Sequence, residues 1–216
     1  MTDHELKQFV ENSLDFEPSV DATDVGVSVA DGVVTLRGNV RSYAEKWTAE
    51  RTALHVYGVK GVANDLAVRL TNAHERTDTD IAKAAVDAFK WNTLIPPNQI
   101  TVTVTNGWVT LNGTVAWQYQ RGAAERLVRD LTGVKGVSNS ILLKNPVSTG
   151  DVKAKIEAAF KRSAEVDASR VNVAAQDGKV VLTGHVRSWA ERQEAERAAW
   201  AAPGVTQVDD RLTVTL

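Results

Sequence analysis

The sequence predicts an α+β protein made of three tandem α-β-β-α-β units, each with a three-stranded mixed sheet and two helices on one face. Two observations support this fold. One hairpin motif occurs three times, as DGVVTLRG at 31–38, NGWVTLNG at 106–113 and DGKVVLTG at 177–184. Helical periodicity precedes and follows each copy. We therefore expect domains at 1–72, 77–145 and 148–216, with linkers at about 71–77 and 144–150.

The first helix of each unit is predicted by a capping box and an apolar stripe. A hydroxyl at the N-cap accepts from a free backbone N–H, and an acid three residues later reaches back. The capping pairs are Thr2 with Glu5, Thr77 with Asp80, and Ser148 with Asp151. Apolar residues then recur one turn apart, which predicts one buried stripe per helix. They are Leu6, Val10, Leu14; Ile81, Ala85, Phe89; Val152, Ile156 and Phe160.

A β-hairpin follows the first helix. Apolar residues alternate at 25–29, 100–104 and 171–175, which is the period of a half-buried strand. The Asp-Gly or Asn-Gly pair supplies the two positive φ angles of a type I′ turn. The turn glycines are Gly32, Gly107 and Gly178. The second strand then returns with Val34 and Leu36, or their equivalents, pointing inward.

The second helix is predicted to follow a glycine, and the outer units begin it with another capping box. The preceding glycines are Gly38, Gly113 and Gly184, and the boxes are Ser42 with Glu45 and Ser188 with Glu191. Trp117 stands at the cap position of the middle unit. We expect the helices to end at the left-handed caps Gly58, Gly133 and Gly204. Alternation of apolar residues at 66–70, 141–143 and 212–216 predicts the third strand. The sheet face that carries no helix must then stay polar or be covered by a partner.

Composition excludes several classes of protein. The 216 residues contain no cysteine, so there is no disulfide framework, thiolate metal site or cysteine nucleophile. The net charge of −2 is too near neutral for us to expect a nucleic-acid partner. Residues 1–72 carry 7 basic and 11 acidic side chains (−4), residues 73–145 carry 8 and 6 (+2), and residues 146–216 carry 10 of each. Only the middle unit would favour an anionic surface.

The N-terminus is acidic and no apolar run follows it, unlike a secretory signal. We therefore expect a cytoplasmic protein, peripheral to the membrane at most, and a periplasmic one only if a signal has been removed.

The unit resembles the BON domain. The resemblance rests on the element order and on the run V-x-V-x-x-G-x-V-x-L-x-G-x-V, which stands at 27–40 and 102–115. Residues 173–186 follow the same run, except that Ala175 replaces its second valine. A closing G-V-x-x-V stands at 58–62, 133–137 and 204–208. The resemblance implies a bacterial protein of the cell envelope or of the stress response, which includes the response to osmotic stress. It also implies that the protein binds phospholipid or holds other proteins at membranes. Some members act as chaperones, and one cytosolic relative binds potassium.

The sequence contains no motif that indicates an enzyme. The four histidines form no i, i+4 pair, and nucleotide-binding, triad and metalloprotease motifs are missing, so we expect no enzyme, no metal and no cofactor. The Gly58–Gly61 glycines with Lys60 suit a turn better than a phosphate loop, because they follow a helix. The repeated Glu-Arg pairs at 50–51, 125–126 and 196–197 are interpreted as a solvated or inter-helix salt-bridge face.

The tryptophans are the main departures from the repeat, because none of the six occupies a position that is apolar in all three copies. Some suit a lipid or partner surface, and packing between units is the alternative that we favour slightly. The candidates for lipid or partner contact are Trp91, Trp108, Trp117, Tyr119, Arg121 and Trp189. Trp108 is out of phase with Val109, so we expect it on the open sheet face.

Three functional hypotheses follow. The first is a non-enzymatic binding module for a phospholipid surface or a protein partner, with the middle unit most involved. The second is a cytosolic stress protein that responds to potassium or another monovalent cation through backbone carbonyls. The third is an ATP-independent chaperone-like surface. The sequence leaves the oligomeric state open.

Overall fold

The computed structural model describes residues 1–71, 73–144, 151–163 and 166–215. The chain forms two compact units, Met1–Gly113 with Arg121–Ile141, and Thr114–Gln120 with Leu142–Leu216. Three parts of the sequence interpretation lie outside the described residues: the cap residue Ser148, most of the second linker, and the end of the last strand at Leu216.

Each repeat has its elements in the predicted order. The first contains α1 (Asp3–Phe16), a 3₁₀ turn (Ala22–Asp24), β1 (Val25–Ala30), β2 (Val33–Val40), α2 (Tyr43–His55) and β3 (Gly61–Val68). The second contains α3 (Asp78–Trp91), β4 (Ile100–Thr105), β5 (Trp108–Val115), α4 (Gln118–Arg129) and β6 (Gly136–Leu143). The third contains α5 (Val152–Arg162), β7 (Val171–Gln176), β8 (Lys179–Val186), α6 (Trp189–Trp200) and β9 (Gln207–Val214).

Every repeat has a three-stranded sheet in sequential strand order. The first two strands pair antiparallel, and in the outer repeats the second and third strands run parallel. The α+β fold with mixed sheets is confirmed. Both helices of a repeat pack on one sheet face, since stripe residues such as Leu6, small helix residues such as Ala49 and strand residues such as Leu36 share one buried cluster.

The predicted caps of the first helices are present in the first two repeats, and the prediction that Asp151 follows an N-cap at Ser148 is wrong. Thr2 and Thr77 form complete capping boxes with Glu5 and Asp80. In the third repeat Asp151 is itself the N-cap, accepting from the Ala154 N–H at 3.0 Å.

The boxes predicted for α2 and α6 are only half formed. The hydroxyls of Ser42 and Ser188 do accept from the N–H groups three residues on. The acids at that position do not reach back to the serine, so the prediction of a reciprocal box is wrong. Glu45 instead accepts from the Asp21 N–H at 2.8 Å and the Arg41 N–H at 2.7 Å, tying the start of α2 to the segment before β1.

Glu191 repeats this arrangement in the third repeat, with the N–H groups of Asp167 at 2.9 Å and Arg187 at 2.7 Å. Its side chain is only 3 % exposed. Burial raises the pKa of Glu191, but the two N–H donors and the Arg187 guanidinium outweigh burial, so the pKa lies below its ordinary value. The carboxylate is therefore a buried, ionised tie between two loops.

In the middle repeat both the acceptor and one of the donors of this hydrogen-bonded link are replaced. Gln120 replaces the glutamate, and Pro96 stands at the position of Asp21. Proline has no N–H to donate, so one of the two bonds of the outer repeats is chemically unavailable. The Gln120 Oε1 atom accepts instead from the N–H groups of Ala116, at 3.1 Å, and Trp117, at 3.0 Å. No hydroxyl stands at Trp117 to accept from the Gln120 N–H, which donates instead to the Trp117 carbonyl at 3.1 Å.

The hairpin turns have the predicted positive φ angles at both central residues, for example 53° at Asp31 and 80° at Gly32. The glycines before the second helices lie elsewhere than expected. Gly38 is inside β2, with φ of 130°, and a Cβ there would lie 1.8 Å from the Asp24 carbonyl oxygen. Close approach of the backbone therefore requires this glycine, and Gly113 and Gly184 are in the same situation.

The second helices also end earlier than predicted. α2 ends at His55, and Gly58 has a positive φ of 98° in the turn that follows, closed by the Val59 N–H on the Val56 carbonyl at 3.2 Å. Gly133 and Gly204 occupy equivalent turns. Gly58 is a turn residue, because the chain leaves α2 in extended conformation at Val56 before it reverses. α6 likewise ends before Gly204, at Trp200, although Ala201 after it keeps a helical conformation.

Candidate functional site

Two of the candidate residues in the middle repeat, Trp108 and Arg121, lie on opposite sides of the sheet. The Trp108 ring lies on the open face, over Gly136, and its Nε1–H donates to the Ser138 hydroxyl at 2.9 Å. The Arg121 guanidinium donates to the Asn139 carbonyl at 3.2 Å, and the Asn139 amide returns a bond to α4. Because neighbouring side chains of a strand point to opposite faces, Trp108 and Arg121 cannot contact the same flat membrane surface through one face.

Arg121 has a structural counterpart in each repeat. Lys46 donates to the Leu66 carbonyl at 2.7 Å, and Arg192 donates to the Asp210 carboxylate at 2.7 Å. In all three repeats a cation of the second helix therefore binds the third strand. The role of Arg121 is shared by the repeats, and this argues against a specialised binding role.

In the repeated Glu-Arg pairs, Arg51, Arg126 and Arg197 are exposed, which agrees with the solvated alternative, and Arg197 pairs with Glu194 of the same helix. Glu50 and Glu125 accept from the side-chain amides of Asn64, at 2.8 Å, and Asn139, at 2.9 Å. Glu196 accepts from the Trp200 Nε1–H at 3.2 Å. The glutamates tie the second helix to its own repeat, because their nearest donors are amide and indole N–H groups.

The remaining candidates differ widely in exposure. Trp91, the last residue of α3, is 89 % exposed, and Tyr119 is 53 % exposed. Trp117 and Trp189 are half-buried at the starts of α4 and α6, and the Arg192 guanidinium lies over the Trp189 ring, 4.6 Å from its centroid. Trp91 is the candidate that is most available to a partner.

An open groove lies in the first repeat, between α1 and α2. Its volume is about 930 Å³. We call it the aromatic groove, because Met1, Phe9, Phe16, Trp47 and Tyr57 line it together with polar residues that include Arg51. Phe9 and Phe16 are seven residues apart on α1, so they lie on one helix face, next to the buried stripe.

The groove exposes large apolar side chains that a folded core would bury. Phe16 is 91 % exposed, and Phe9, Tyr57 and Met1 are each more than half exposed. Apart from Trp91, which is equivalent to Phe16, the other repeats have no large aromatic residue at the positions of Phe9, Phe16, Trp47 and Tyr57. The equivalents in the second and third repeats are Ala84 and Lys155 for Phe9, Trp91 and Arg162 for Phe16, Gly122 and Gln193 for Trp47, and Thr132 and Pro203 for Tyr57. The groove is thus a departure of the first repeat from the shared unit.

Trp47 also takes part in a contact between the first two repeats, inside the first compact unit. The Arg129 guanidinium lies 3.7 Å from the Trp47 ring centroid, and Arg51 lies 5.2 Å from it. Burial raises the pKa of Tyr43, and the nearby charge of Glu125 raises it further. α2 therefore packs against the second repeat, as the inter-unit alternative for the tryptophans predicted, and Trp47 forms one wall of the groove there.

The described residues provide neither a metal-binding cluster nor a membrane-spanning helix. No cluster of three or more histidine, aspartate or glutamate side chains could hold a metal ion there. None of the helices in these ranges has the length and apolarity needed to cross a membrane.

Comparison with known proteins agrees with the repeat. The family model described as the BON domain matches residues 2–69, 77–145 and 148–215. The chain belongs to the BON family. A curated relative, the osmotically-inducible protein Y of Escherichia coli strain K12, is 32 % identical over 151 residues, which are 67 % of this chain and 74 % of the relative. Neither the BON family nor this relative is known as an enzyme.

Solved structures of CdsD, a structural protein of the Chlamydia trachomatis type III secretion system, are also similar. One covers 98 % of this chain and 92 % of its own at 15 % identity, with a TM-score of 0.26. A second, of the CdsD C-terminal domain, covers all of both chains at the same identity and TM-score. A likeness this low carries no functional argument.

Most of the groove was missed by reasoning from the sequence. The tryptophans are not the only departures among the three BON repeats. Phe9 and Tyr57 depart as well, since neither has a bulky apolar equivalent in the other copies. That signal identifies the departures, but it does not show that two helices and the following turn bring them together.

Proposed function

We propose that this BON protein acts in the osmotic-stress response as a non-catalytic binding protein, and that it associates with phospholipid surfaces through the aromatic groove of its first repeat. The family and the osmotically-inducible relative support the stress role. The exposed aromatic groove is the single observation that carries the binding role. Exposed contiguous apolar surface of this kind marks interaction sites in soluble proteins.

The groove suits insertion of apolar groups more than electrostatic attraction. Its aromatic rings stand at the surface beside the Arg51 guanidinium and the His55 ring, a combination that suits the boundary between headgroups and acyl chains. The first repeat as a whole has a net charge of −4, which opposes an anionic bilayer. We therefore expect association with zwitterionic vesicles that anionic lipid does not strengthen.

A protein partner is the second candidate, because the surface is concave. Residues of two helices and of the following turn line the groove, and a groove between helices can accept an apolar side chain or an amphipathic helix. An ATP-independent chaperone-like activity would use the same surface.

Flotation with phosphatidylcholine vesicles, with and without phosphatidylglycerol, tests the lipid proposal. Phe16→Ser should lower vesicle affinity about tenfold or more, since it removes a buried phenylalanine side chain from the bound state. Trp91→Ser is the control, because Trp91 occupies the equivalent position in the second repeat and is equally exposed. It should bind at least as well as the parent.

Two results would contradict the proposal. Failure of the parent to float with either vesicle excludes the lipid role, and equal binding by Phe16→Ser excludes the groove as its site. The protein alternative is checked by suppression of the aggregation of an unfolded client without ATP, which Phe16→Ser should abolish and Trp91→Ser should leave intact.

A further inference from the structure

We propose that the aromatic groove of one copy binds Trp91 of a second copy, so that the chain associates head to tail when no other ligand occupies the groove. This inference goes beyond the proposed function, because it concerns the protein alone and assigns a role to a side chain of the second repeat.

The inserted group is unusually exposed. Trp91 ends α3 and leaves 89 % of its surface to solvent, and the following Leu94 is 46 % exposed. The residue after the helix, Asn92, is already extended, so the indole stands where the helix ends. A tryptophan buries a large apolar area on insertion, and such residues are enriched at the energetic centres of protein interfaces. Its exposure also shows that Trp91 does not fill the groove of its own chain.

The receiving surface has suitable size and chemistry. A volume of about 930 Å³ lies at the upper end of the usual range for binding pockets and leaves room for an indole and a neighbouring side chain. Phe9, Phe16 and Tyr57 offer aromatic rings to an incoming indole, in a setting that permits offset stacking or edge-to-face contact.

Charge favours this pairing over the pairing of two identical surfaces. The groove belongs to the repeat with a net charge of −4, and Trp91 belongs to the repeat with a net charge of +2. Arg51 and Glu17 both line the groove, so the complementary contact would join Glu17, which now accepts from Ser19, to Lys90, which adjoins Trp91. The present partner of Lys90 is Asp87 at 3.0 Å, and both side chains are more than 60 % exposed, so the exchange of this pair for Glu17 costs little.

The two surfaces are different, so the contact is heterologous. Each chain carries one groove and one Trp91, and head-to-tail contacts of this kind propagate or close into rings instead of stopping at a two-fold dimer. The area of one side chain and its neighbours is small compared with stable interfaces, so the association should be weak and concentration-dependent.

Sedimentation velocity over a concentration series tests the proposal with the full chain and no lipid. The parent should show concentration-dependent species larger than a dimer, and raised salt should weaken them. Trp91→Ser and Phe16→Ser should each remain monomeric at concentrations about tenfold above those at which the parent associates. Both residues lie at the surface, so circular dichroism melts should match the parent and confirm that each variant folds.

A mixture of the two variants tests whether the groove and Trp91 bind each other. Trp91→Ser keeps its groove and Phe16→Ser keeps its tryptophan, so an equimolar mixture can form one complementary contact and should give dimers that do not grow further. A parent that is monomeric throughout, an association that both variants retain, or a mixture that stays monomeric would each overturn the proposal.

Discussion

The guanidinium of Arg129 lies 3.7 Å from the centroid of the Trp47 ring, which joins the second BON repeat to the first inside one compact unit. Only 11 % of the Arg129 side chain is exposed, so much of its hydration is already lost. A cation held over an indole in such a setting contributes about 0.5–2 kcal/mol. The same ring forms a wall of the aromatic groove, so the inter-repeat contact also holds part of the candidate site in place.

Arg129→Ala should destabilise the first compact unit by about 1 kcal/mol, because the indole loses its cation. A double-mutant cycle with Trp47→Leu, measured by urea unfolding, isolates the pair. The same cycle for Arg51 with Trp47 is the comparison, since Arg51 lies farther away, at 5.2 Å, and belongs to the same repeat as the ring. Equal coupling energies for the two arginines would contradict the assigned interface.

Gly38→Ala should cost at least about 2 kcal/mol of unfolding free energy, because its positive φ and the Asp24 carbonyl leave no place for a Cβ. Gly61→Ala is the control. No atom lies within 4 Å of a Cβ there, and the change should be within about 0.5 kcal/mol of neutral. Chemical denaturation of both variants checks this. Similar losses would show that the carbonyl contact is not what demands glycine.

Asp78→Ala should destabilise the second repeat by about 1–3 kcal/mol. The Asp78 carboxylate accepts from the Asn106 and Gly107 N–H groups, each at 2.8 Å, and so holds the hairpin turn against the start of α3. Asp87→Ala should cost under about 0.5 kcal/mol, because its bond to Lys90 is exposed. Hydrogen exchange at the Asn106 and Gly107 amides measures the effect. Unchanged protection of these amides in Asp78→Ala would show that the carboxylate does not hold the turn.

Glu191→Gln should alter acid stability. The folded-state pKa of Glu191 lies below its ordinary value of 4.5, so the unfolded chain binds more protons as the pH falls below that value. This carboxylate therefore contributes stability that is fully present at neutral pH and is lost as the pH falls through the folded-state pKa. Glu191→Gln should cost about 1–3 kcal/mol at pH 7 and progressively less below pH 4.5.

Urea unfolding of parent and Glu191→Gln at pH 7 and at acid pH checks this dependence. Gln193→Glu, which adds a carboxylate on the same helix at a half-buried site, is the control for general charge effects. A stability difference between parent and Glu191→Gln that is the same at both pH values would exclude the ionised tie.

Much of the fold could be predicted from local signals. The Asn-Gly and Asp-Gly turns, the alternating strands and the cap at Thr77 depend on residues close together in sequence, and the structure has each of them as expected. The glycines were harder. In the sequence Gly38 looks like a residue that ends a strand. It must be glycine because the Asp24 carbonyl, in the segment before β1, lies where a Cβ would be, and the local pattern does not show this.

The candidate site was predictable only in part. Comparison of the three copies marks Trp91 as a departure, and the residue is exposed, while its contact with a lipid or partner stays a prediction. Arg121 looked like a partner for the aromatic residues because it is close to Trp117 in sequence. The structure instead binds it to the third strand, as it binds Lys46 and Arg192.

The sequence by itself determined the unit, its threefold repetition and the BON family, because turn chemistry, capping and side-chain period act over a few residues. Only the tertiary structure decided which departures form a surface. Phe16 and Tyr57 are far apart along the chain, and they line one groove because α1 and α2 pack on the same sheet face. Burial and close approach between distant segments decide such sites, and these become visible only once the helices are packed.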